Sequence, residues 1–141
     1  MSKDQTISVD QFIDALPHAR ALGMRLVSVD RGVAEIEMPY DTRFIGDPQT
    51  GVIAGGAVSA LMDTCGGAAV LSHPDNAGLT ATIDLRIDYM RSATPGQTIR
   101  ARAEAYHVTR SVAFVRATAT DDDDANPVAT ATGAFTAEGR K

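Results

Sequence analysis

The sequence predicts an α+β fold in which an antiparallel sheet wraps around one long central helix. The first observation is an apolar stretch from Val52 to Leu71 that contains a single carboxylate, Asp63, as in a helix that protein covers on nearly every side. The second is that much of the remaining chain alternates apolar and polar residues, the pattern of strands with one buried face. Because turns separate these strands in hairpin succession, the sheet is expected to be antiparallel.

The N-terminal part of the chain predicts a short helix and then a hairpin. Ser8–Leu16 places its apolar residues on one face, begins with a serine that can cap it, and is followed by Pro17, which marks its end. Residues 1–21 are therefore expected to form an N-terminal helical segment. The pattern then predicts two paired strands, Met24–Asp30 and Val33–Met38, each with one face buried and the other in water.

The rest of the chain supplies the central helix and four more strands. Asp41–Gly51 is a loop rich in turn residues, and the helix runs from about Gly55 to Leu71. Asp121–Asn126 is predicted to be a polar turn, and its acidic run, Asp121–Asp124, is interpreted as a solvated hairpin tip. With no repeat or linker, residues 1–141 are expected to form one domain. The predicted strands are Leu79–Tyr89, Thr98–Val108, Ser111–Thr120 and Val128–Phe135.

Composition excludes several classes of function. The chain has 13 Lys and Arg against 18 Asp and Glu, a net charge of −5, which argues against a nucleic-acid partner. The mid-stretch Asp63 and several glycines argue against a membrane span at Val52–Leu71. One cysteine and three scattered histidines offer no metal-ligand spacing, so no metal is expected. The single cysteine also suits a reducing compartment, and a cytoplasmic location is expected.

The start of the long helix is the first candidate for chemistry. Gly55 and Gly56 follow each other where the helix begins, so another group can approach the backbone closely. Their N–H groups lie at the positive end of the helix dipole and can bind a carbonyl oxygen that becomes negative in a transition state. The alternative is that the glycines only allow tight packing.

Asp63 is the second candidate. A carboxylate within an apolar helix is costly to desolvate unless it is paired or reaches a cleft. It is either hydrogen-bonded to a helix terminus or a buried arginine, or it serves as a nucleophile or general base. Gly55 and Asp63 are roughly 12 Å apart along one helix, too far for one small reacting group. Two antiparallel helices across a two-fold axis would bring each Asp63 to the partner's glycines, which predicts a homodimer with two shared sites.

Two motifs together resemble a known family. GGAVSALMD at residues 55–63 and TATIDLRIDYMRSATPG at residues 80–96 resemble the hotdog-fold acyl-CoA thioesterases of the phenylacetic-acid (PaaI-like) subgroup, and the resemblance extends over most of the chain. It implies a sheet wrapped around a long helix, a homodimer and often a dimer of dimers. It further implies that Asp63 is the catalytic carboxylate, that Gly55 or Gly56 of the other subunit polarises the thioester carbonyl, and that Thr82 helps to place the attacking water. The alternative for Thr82 is an ordinary strand residue facing solvent.

The chain departs from this family at two positions. Ala54 stands where the family usually has a histidine, and it cannot hydrogen-bond a substrate carbonyl. Asp47 takes the place of a loop asparagine, and while ionised it accepts but does not donate hydrogen bonds. Arginines on or beside the strands can meet the phosphates of coenzyme A, or else are solvated strand charges. These are Arg86, Arg91, Arg110 and Arg116.

The leading hypothesis is hydrolysis of a medium-chain or aryl acyl-CoA to the free acid and CoA. It requires no cofactor other than the coenzyme A of the substrate itself. The alternative is a non-catalytic hotdog module that binds acyl-CoA, which the missing histidine at Ala54 motivates. A hydratase or dehydratase is the weakest hypothesis, because the nearest downstream histidine, His73, lies ten residues after Asp63.

Overall fold

The computed structural model describes residues 9–140, which form a six-stranded antiparallel sheet around one long helix. The strands lie in the order β1-β2-β6-β7-β8-β5, and every neighbouring pair is antiparallel. The predicted fold class and the antiparallel sheet are thus confirmed, but the hairpin succession is wrong at β5, which pairs with β8 and not with the next strand, β6. The strands are β1 Arg25–Asp30, β2 Val33–Met38, β3 Ile45–Asp47, β4 Val52–Ile53, β5 Thr82–Tyr89, β6 Ile99–Val108, β7 Val112–Thr120 and β8 Ala129–Thr136; the helices are α1 Val9–Asp14, α2 Pro17–Ala21 and α3 Gly55–Ser72.

Helix α3 forms the centre of the core. It packs chiefly against β2, β6 and β7, whose inward positions are largely alanine, and these small side chains allow the sheet to approach the helix closely. Leu61, Met62 and Cys65 on the helix are fully buried, as the apolar stretch predicts. No helix among residues 9–140 is long and apolar enough to cross a membrane.

The N-terminal helical segment differs from the prediction. Where one helix was expected over Ser8–Leu16, α1 ends at Asp14 and a second helix begins at Pro17. Pro17 starts a helix rather than ending one because proline lacks an N–H that the first helical turn would leave unpaired and its φ is already helical. The predicted capping residue, Ser8, lies outside the described residues.

Two turns meet at the C-terminal end of α3. The β1–β2 turn has positive φ at Arg31 (48°) and Gly32 (93°), the conformation that a tight hairpin requires. The N–H of Gly32 donates to the Ser72 hydroxyl at 2.9 Å, which ties this turn to the C-terminal end of α3. Buried Asn76 donates to the Val70 carbonyl at 3.2 Å and so caps the same end of the helix.

Strand β5 contradicts the predicted burial pattern. Its alternation predicted a long strand with one buried face, but Leu79 is 78% and Ile83 56% exposed, and the strand itself starts only at Thr82. The reason is its place at the sheet edge beside β8, since α3 lies mainly under β2, β6 and β7. A row of apolar side chains is therefore left uncovered along this edge within one chain.

The loop before α3 contains more structure than the turn residues predicted. A helical turn at Thr42–Phe44 leads into β3, which pairs with β4 as a two-stranded ribbon. The N–H of Ala54 donates to the Phe44 carbonyl at 2.8 Å. This ribbon fixes the point at which α3 begins.

Candidate active site

Asp63 lies in the middle of α3 on the face turned toward β5. Its carboxylate is half-buried, and its Oδ1 accepts a hydrogen bond from Thr82 Oγ1 at 2.6 Å. Neither a helix terminus nor an arginine pairs with it among residues 9–140. The structure therefore brings together two of the predicted catalytic residues and leaves Oδ2 of Asp63 open to a ligand.

Cys65, two residues further along the helix, faces the opposite way. Its thiol donates toward the Ala34 and Ala101 carbonyls at 3.3 and 3.5 Å, and burial raises its pKa to about 12. A thiol that remains protonated in a closed core is not a nucleophile. Among residues 9–140, no three His, Cys, Asp or Glu side chains are grouped so that they can hold a metal ion.

The N-terminus of α3 exposes two backbone donors. Ala54 caps the helix without a side-chain hydrogen bond, and its carbonyl accepts from the N–H of Ala57 at 3.0 Å. Among residues 9–140 the N–H groups of Gly55 and Gly56 have no acceptor, as expected for the first helical residues. Their N–H groups are free to bind an oxygen atom at the positive end of the helix.

The space around these glycines distinguishes the two interpretations of the motif. A Cβ at Gly56 would meet nothing within 4 Å, and one at Gly55 would only touch the Tyr89 ring at 3.5 Å. The glycine that tight packing does require is Gly66, whose Cβ would lie 2.7 Å from Phe135 Cζ. Within the chain, therefore, close packing does not explain the Gly55-Gly56 pair, and the open backbone favours a ligand site.

The two halves of the predicted site stay apart within one chain. Asp63 accepts a hydrogen bond from Thr82 at the beginning of β5, whereas the Gly55 carbonyl accepts one from Tyr89 at the end of this strand. The two groups are also roughly 12 Å apart along α3. One small reacting group cannot contact both in a single chain.

A hydroxyl cluster at the end of β5 was not singled out by the sequence. The Tyr89 hydroxyl donates to the Gly55 carbonyl oxygen at 2.7 Å, and the Ser59 hydroxyl contacts both that oxygen, at 3.2 Å, and the Tyr89 hydroxyl. Tyr89 is the last residue of the strand predicted over Leu79–Tyr89, and Ser59 lies within the apolar stretch. The available signal was a phenol at the end of an alternating strand, although the structure leaves Tyr89 49% exposed.

A cavity of about 370 Å³ opens beside the helix N-terminus. Gly55 and Tyr89 lie on its wall, so it adjoins the exposed backbone donors. Most of the remaining wall is apolar and comes from β4, α3 and the segment after β5. These residues are Val52, Ile53, Val58, Met90, Ala93 and Val128.

Arg91 lines this cavity, but its charged end is already paired. The guanidinium binds both carboxylate oxygens of Asp121, at 2.6 and 2.8 Å, and it holds the pKa of Asp121 well below its usual range. The Asp121 side chain is fully buried, so the prediction that the whole acidic run is a solvated tip is wrong at this position. The carboxylate is buried because, besides pairing with Arg91, it accepts hydrogen bonds from the N–H groups of Thr94 and Asp123.

The two positions that depart from the family pattern lie in the ribbon before α3. Asp47 accepts from the N–H of Gln49 at 3.0 Å and from the Thr50 hydroxyl at 2.9 Å, so its carboxylate stabilises the turn of the ribbon. Ala54 is half-buried beside Gly46, where a Cβ would come within 2.8 Å of the Ala54 Cα.

The other predicted arginines lie on the surface. Arg110 is exposed in the turn between β6 and β7, and its carbonyl accepts from the N–H of Gly139 near the C-terminal end of α3. Arg86 pairs with Asp88 at 3.3 Å, and Arg116 lies over the Tyr106 ring. Within one chain none of these three lies on the wall of the cavity beside Gly55.

Comparisons with known proteins identify the family of the chain. Residues 50–128 match the model of the thioesterase superfamily. The medium/long-chain acyl-CoA thioesterase YigI of Escherichia coli is 26% identical over 116 residues, 73% of this chain and 70% of that protein.

Two solved structures show the same architecture. A Pseudomonas aeruginosa protein shares 38% identity over 89% of this chain and 93% of its own, with a TM-score of 0.78. A mutant of the phenylacetic acid degradation protein PaaI of Thermus thermophilus shares 25% identity over 86% and 98%, with a TM-score of 0.76. Because the family model matches more than half of the chain and the solved structures share its fold, the chain belongs to the thioesterase superfamily and is a thioester hydrolase.

Proposed function

We propose that the chain hydrolyses medium-chain or aryl acyl-CoA thioesters to the free acid and CoA. The observation that carries the proposal is the half-exposed Asp63 carboxylate, oriented by the Thr82 hydroxyl at 2.6 Å and open at its second oxygen. A carboxylate held in this way can take a proton from water or attack the thioester itself.

Asp63 acts as general base or as nucleophile, and Thr82 serves it in both cases. In the general-base route, water gives its proton to Asp63 as its oxygen bonds to the thioester carbon, and the carbonyl electrons move to oxygen. Collapse of this oxyanion breaks the C–S bond, and the proton returns to the leaving thiolate. Thr82 donates its single proton to Asp63 and keeps lone pairs that can accept from the attacking water.

The developing oxyanion is proposed to bind the N–H groups of Gly55 or Gly56 from the partner subunit. Within one chain Asp63 lies near the start of β5 and Gly55 near its end. Antiparallel pairing of β5 with the β5 of a second copy therefore carries each Asp63 toward the partner's glycines. We propose a homodimer formed in this way, and a dimer of dimers as the larger assembly.

The exposed edge of β5 supports a second copy of this chain as its occupant. Ile83 is 56% exposed, and such an edge invites strand pairing. If a two-fold axis passes through Leu85, the two β5 strands pair antiparallel with Leu85 opposite its own copy. The helix-facing sides of both sheets then lie on the same side, and each Asp84 lies opposite the partner's Arg86. Moving the axis by one residue sets like charges opposite each other, so the strand is self-complementary in one register.

The cavity beside Gly55 supports an apolar acyl group. Its volume of about 370 Å³ and apolar walls suit a medium-length chain or an aromatic ring. We propose that Ala54 and Asp47 border the thioester and that Arg110, together with the backbone near Arg91, serves the coenzyme A portion. The reaction needs no cofactor other than the coenzyme A of the substrate, and the one free thiol suits the reducing cytoplasm.

Thiol release from a panel of short, medium, long and aryl CoA thioesters tests the proposal. We expect Asp63→Asn to lower kcat by roughly 10²- to 10⁴-fold, the usual contribution of a positioned base, while Asp124→Asn, an exposed acid in the β7–β8 turn, has no effect. Retained hydrolysis by Asp63→Asn would remove the carboxylate from its role. Binding of these thioesters without turnover in the unmodified protein would contradict the proposed substrate class, and Ala54→His would then be expected to raise turnover.

A further inference from the structure

We infer that a β-bulge at Ile83 is the element that places the Thr82 hydroxyl against Asp63. The inference rests on the proposed function, because it concerns how the catalytic carboxylate is oriented. Between Thr82 and Asp84 the register of β5 shifts by one residue against β8, so Ile83 has no partner of its own in that strand. An extra residue of this kind defines a bulge.

The bulge reverses the alternation of side chains along β5. In a regular strand successive side chains point to opposite faces, so Thr82 would share the exposed face with Asp84 and Arg86. The extra residue shifts it to the other face. Thr82 lies opposite Phe135, which is buried against α3, and its hydroxyl donates to Asp63 at 2.6 Å.

Asp84 and Gly133 hold the side of the bulge that leads into the middle of β5. The Asp84 carboxylate accepts a hydrogen bond from the N–H of Ala134 in β8 at 3.1 Å. The two strands also come close at Gly133, where a Cβ would run into the Asp84 carbonyl oxygen and lie 2.8 Å from Leu85 Cδ1. A glycine inside a strand is typical of a bulge or of such a close approach, so β8 is built to accept the bulge at this point.

Thr136 holds the other side, the segment just before Thr82. Its N–H donates to the Ala81 carbonyl at 2.7 Å, and its hydroxyl accepts from the N–H of Ala81 at 2.9 Å. The Thr80 hydroxyl donates to the Thr136 carbonyl at 2.7 Å. A regular strand would require this segment to slide by one residue along β8, which breaks all three bonds. Thr82 therefore lies between two anchors, and Asp84 and Thr136 are its positioning residues.

A double-mutant cycle with Thr82→Val tests the inference in the full-length protein. We expect Asp84→Ala to lower kcat about fivefold to tenfold, because a displaced hydroxyl no longer orients Asp63, with KM changed less than about twofold. Thr82→Val should cost at least as much, because it removes the hydroxyl altogether. In the Thr82→Val background, Asp84→Ala should cost less than about twofold more, since a residue that acts through Thr82 then has nothing to position.

Two further variants separate the hydrogen bond of Asp84 from its charge. Asp84→Asn keeps a side-chain acceptor for Ala134 and should recover most of the loss. Asp88→Ala, at an exposed acid on the same face of β5, is the matched control and should leave kcat unaltered, and the assembly mass should stay the same in all variants. Equal losses from Asp84→Ala in both backgrounds would overturn the inference, as would equal losses from Asp84→Asn and Asp84→Ala.

Moving the hydroxyl by one residue tests the face on which it lies. In the double variant Thr82→Val, Ile83→Thr, the bulge keeps the transferred hydroxyl away from Asp63, so kcat should stay as low as for Thr82→Val alone. In a regular strand position 83 would face α3, so recovery of kcat would overturn the inference.

A crystal structure gives a readout that needs no turnover. Asp84→Ala combined with Thr136→Val should leave Thr82 beyond hydrogen-bond distance of Asp63, and an intact contact would overturn the inference. If the unmodified protein hydrolyses none of the thioesters in the panel, the proposed function fails, while this contact still decides whether the bulge positions Thr82.

Discussion

At the scale of single residues, the ion pair between Arg91 and Asp121 stabilises the segment next to the candidate site. The Asp121 side chain is fully buried and that of Arg91 only 27% exposed. The Asp121 carboxylate also accepts from the N–H groups of Thr94 and Asp123. A buried carboxylate that accepts from donors of three residues is well satisfied, and the removal of its charge would leave the guanidinium without its counter-ion.

This pair predicts a specific pH dependence of stability. Because the folded-state pKa of Asp121 is held below its unfolded value of about 3.9, its contribution is fully present above that value and is lost as the pH falls toward the folded pKa. We expect Asp121→Asn to lower the free energy of unfolding by about 2–4 kcal/mol at pH 7, and by clearly less at pH 3. Urea unfolding at a fixed protein concentration measures both values. Asp122→Asn, a change at the exposed neighbour, should cost almost nothing, and an equal loss for Asp121→Asn at both pH values would contradict the prediction.

At the scale of the element, the sequence predicted α3 closely and β5 poorly, for one physical reason. The apolar stretch predicts a covered helix whichever surface covers it, and α3 extends over Gly55–Ser72, one residue beyond the prediction. Period-two alternation likewise states only that one face of a strand is covered. It does not state whether the cover is the chain's own helix, as for β6, or lies outside the chain, and β5 exposes Ile83.

In the candidate site, too, the sequence predicted the residues that lie in short motifs but not the contacts between residues far apart in the chain. Asp63, Thr82 and the glycine pair were predicted because short motifs carry them. Tyr89 and Ser59 were not, because their contact depends on where β5 crosses the first turn of α3, a distance that no local pattern encodes.

The packing of α3 predicts opposite effects at two adjacent glycines. A Cβ at Gly66 would lie 2.7 Å from Phe135 Cζ, and Phe135 is itself fully buried, so Gly66→Ala forces a shift that costs about 1–3 kcal/mol. A Cβ at Gly67 would meet only Thr80, at 4.0 Å, so Gly67→Ala should stabilise the helix by about 0.5–1 kcal/mol. Urea unfolding of both variants checks the signs. Stabilisation by Gly66→Ala would show that Phe135 can move aside.

At the scale of the whole molecule, the proposed catalytic site takes its groups from two chains. Asp63 and Gly56 lie on the same helix but near opposite ends of β5, and the apolar edge of β5 is uncovered within one chain. A two-fold pairing of β5 would cover that edge and complete both sites at once. Stability and activity would then depend on the same interface, so both should fall together on dilution.

Complementation between two inactive variants tests this shared site directly. Asp63→Asn removes the carboxylate, and Gly56→Pro removes one N–H at a position in the first helical turn, where proline is tolerated. Each homodimer should be strongly impaired, with kcat lowered roughly 10²-fold or more. A heterodimer purified through two different tags pairs the intact Asp63 of one chain with the intact Gly56 of the other at one of its two sites. If the site is shared, the heterodimer should recover about half of the unmodified activity, because one of two symmetric sites is complete.

If each site belongs to a single chain, the heterodimer contains no complete site and should be as impaired as its parents. A heterodimer of two Asp63→Asn chains carrying the same tags is the control for residual turnover.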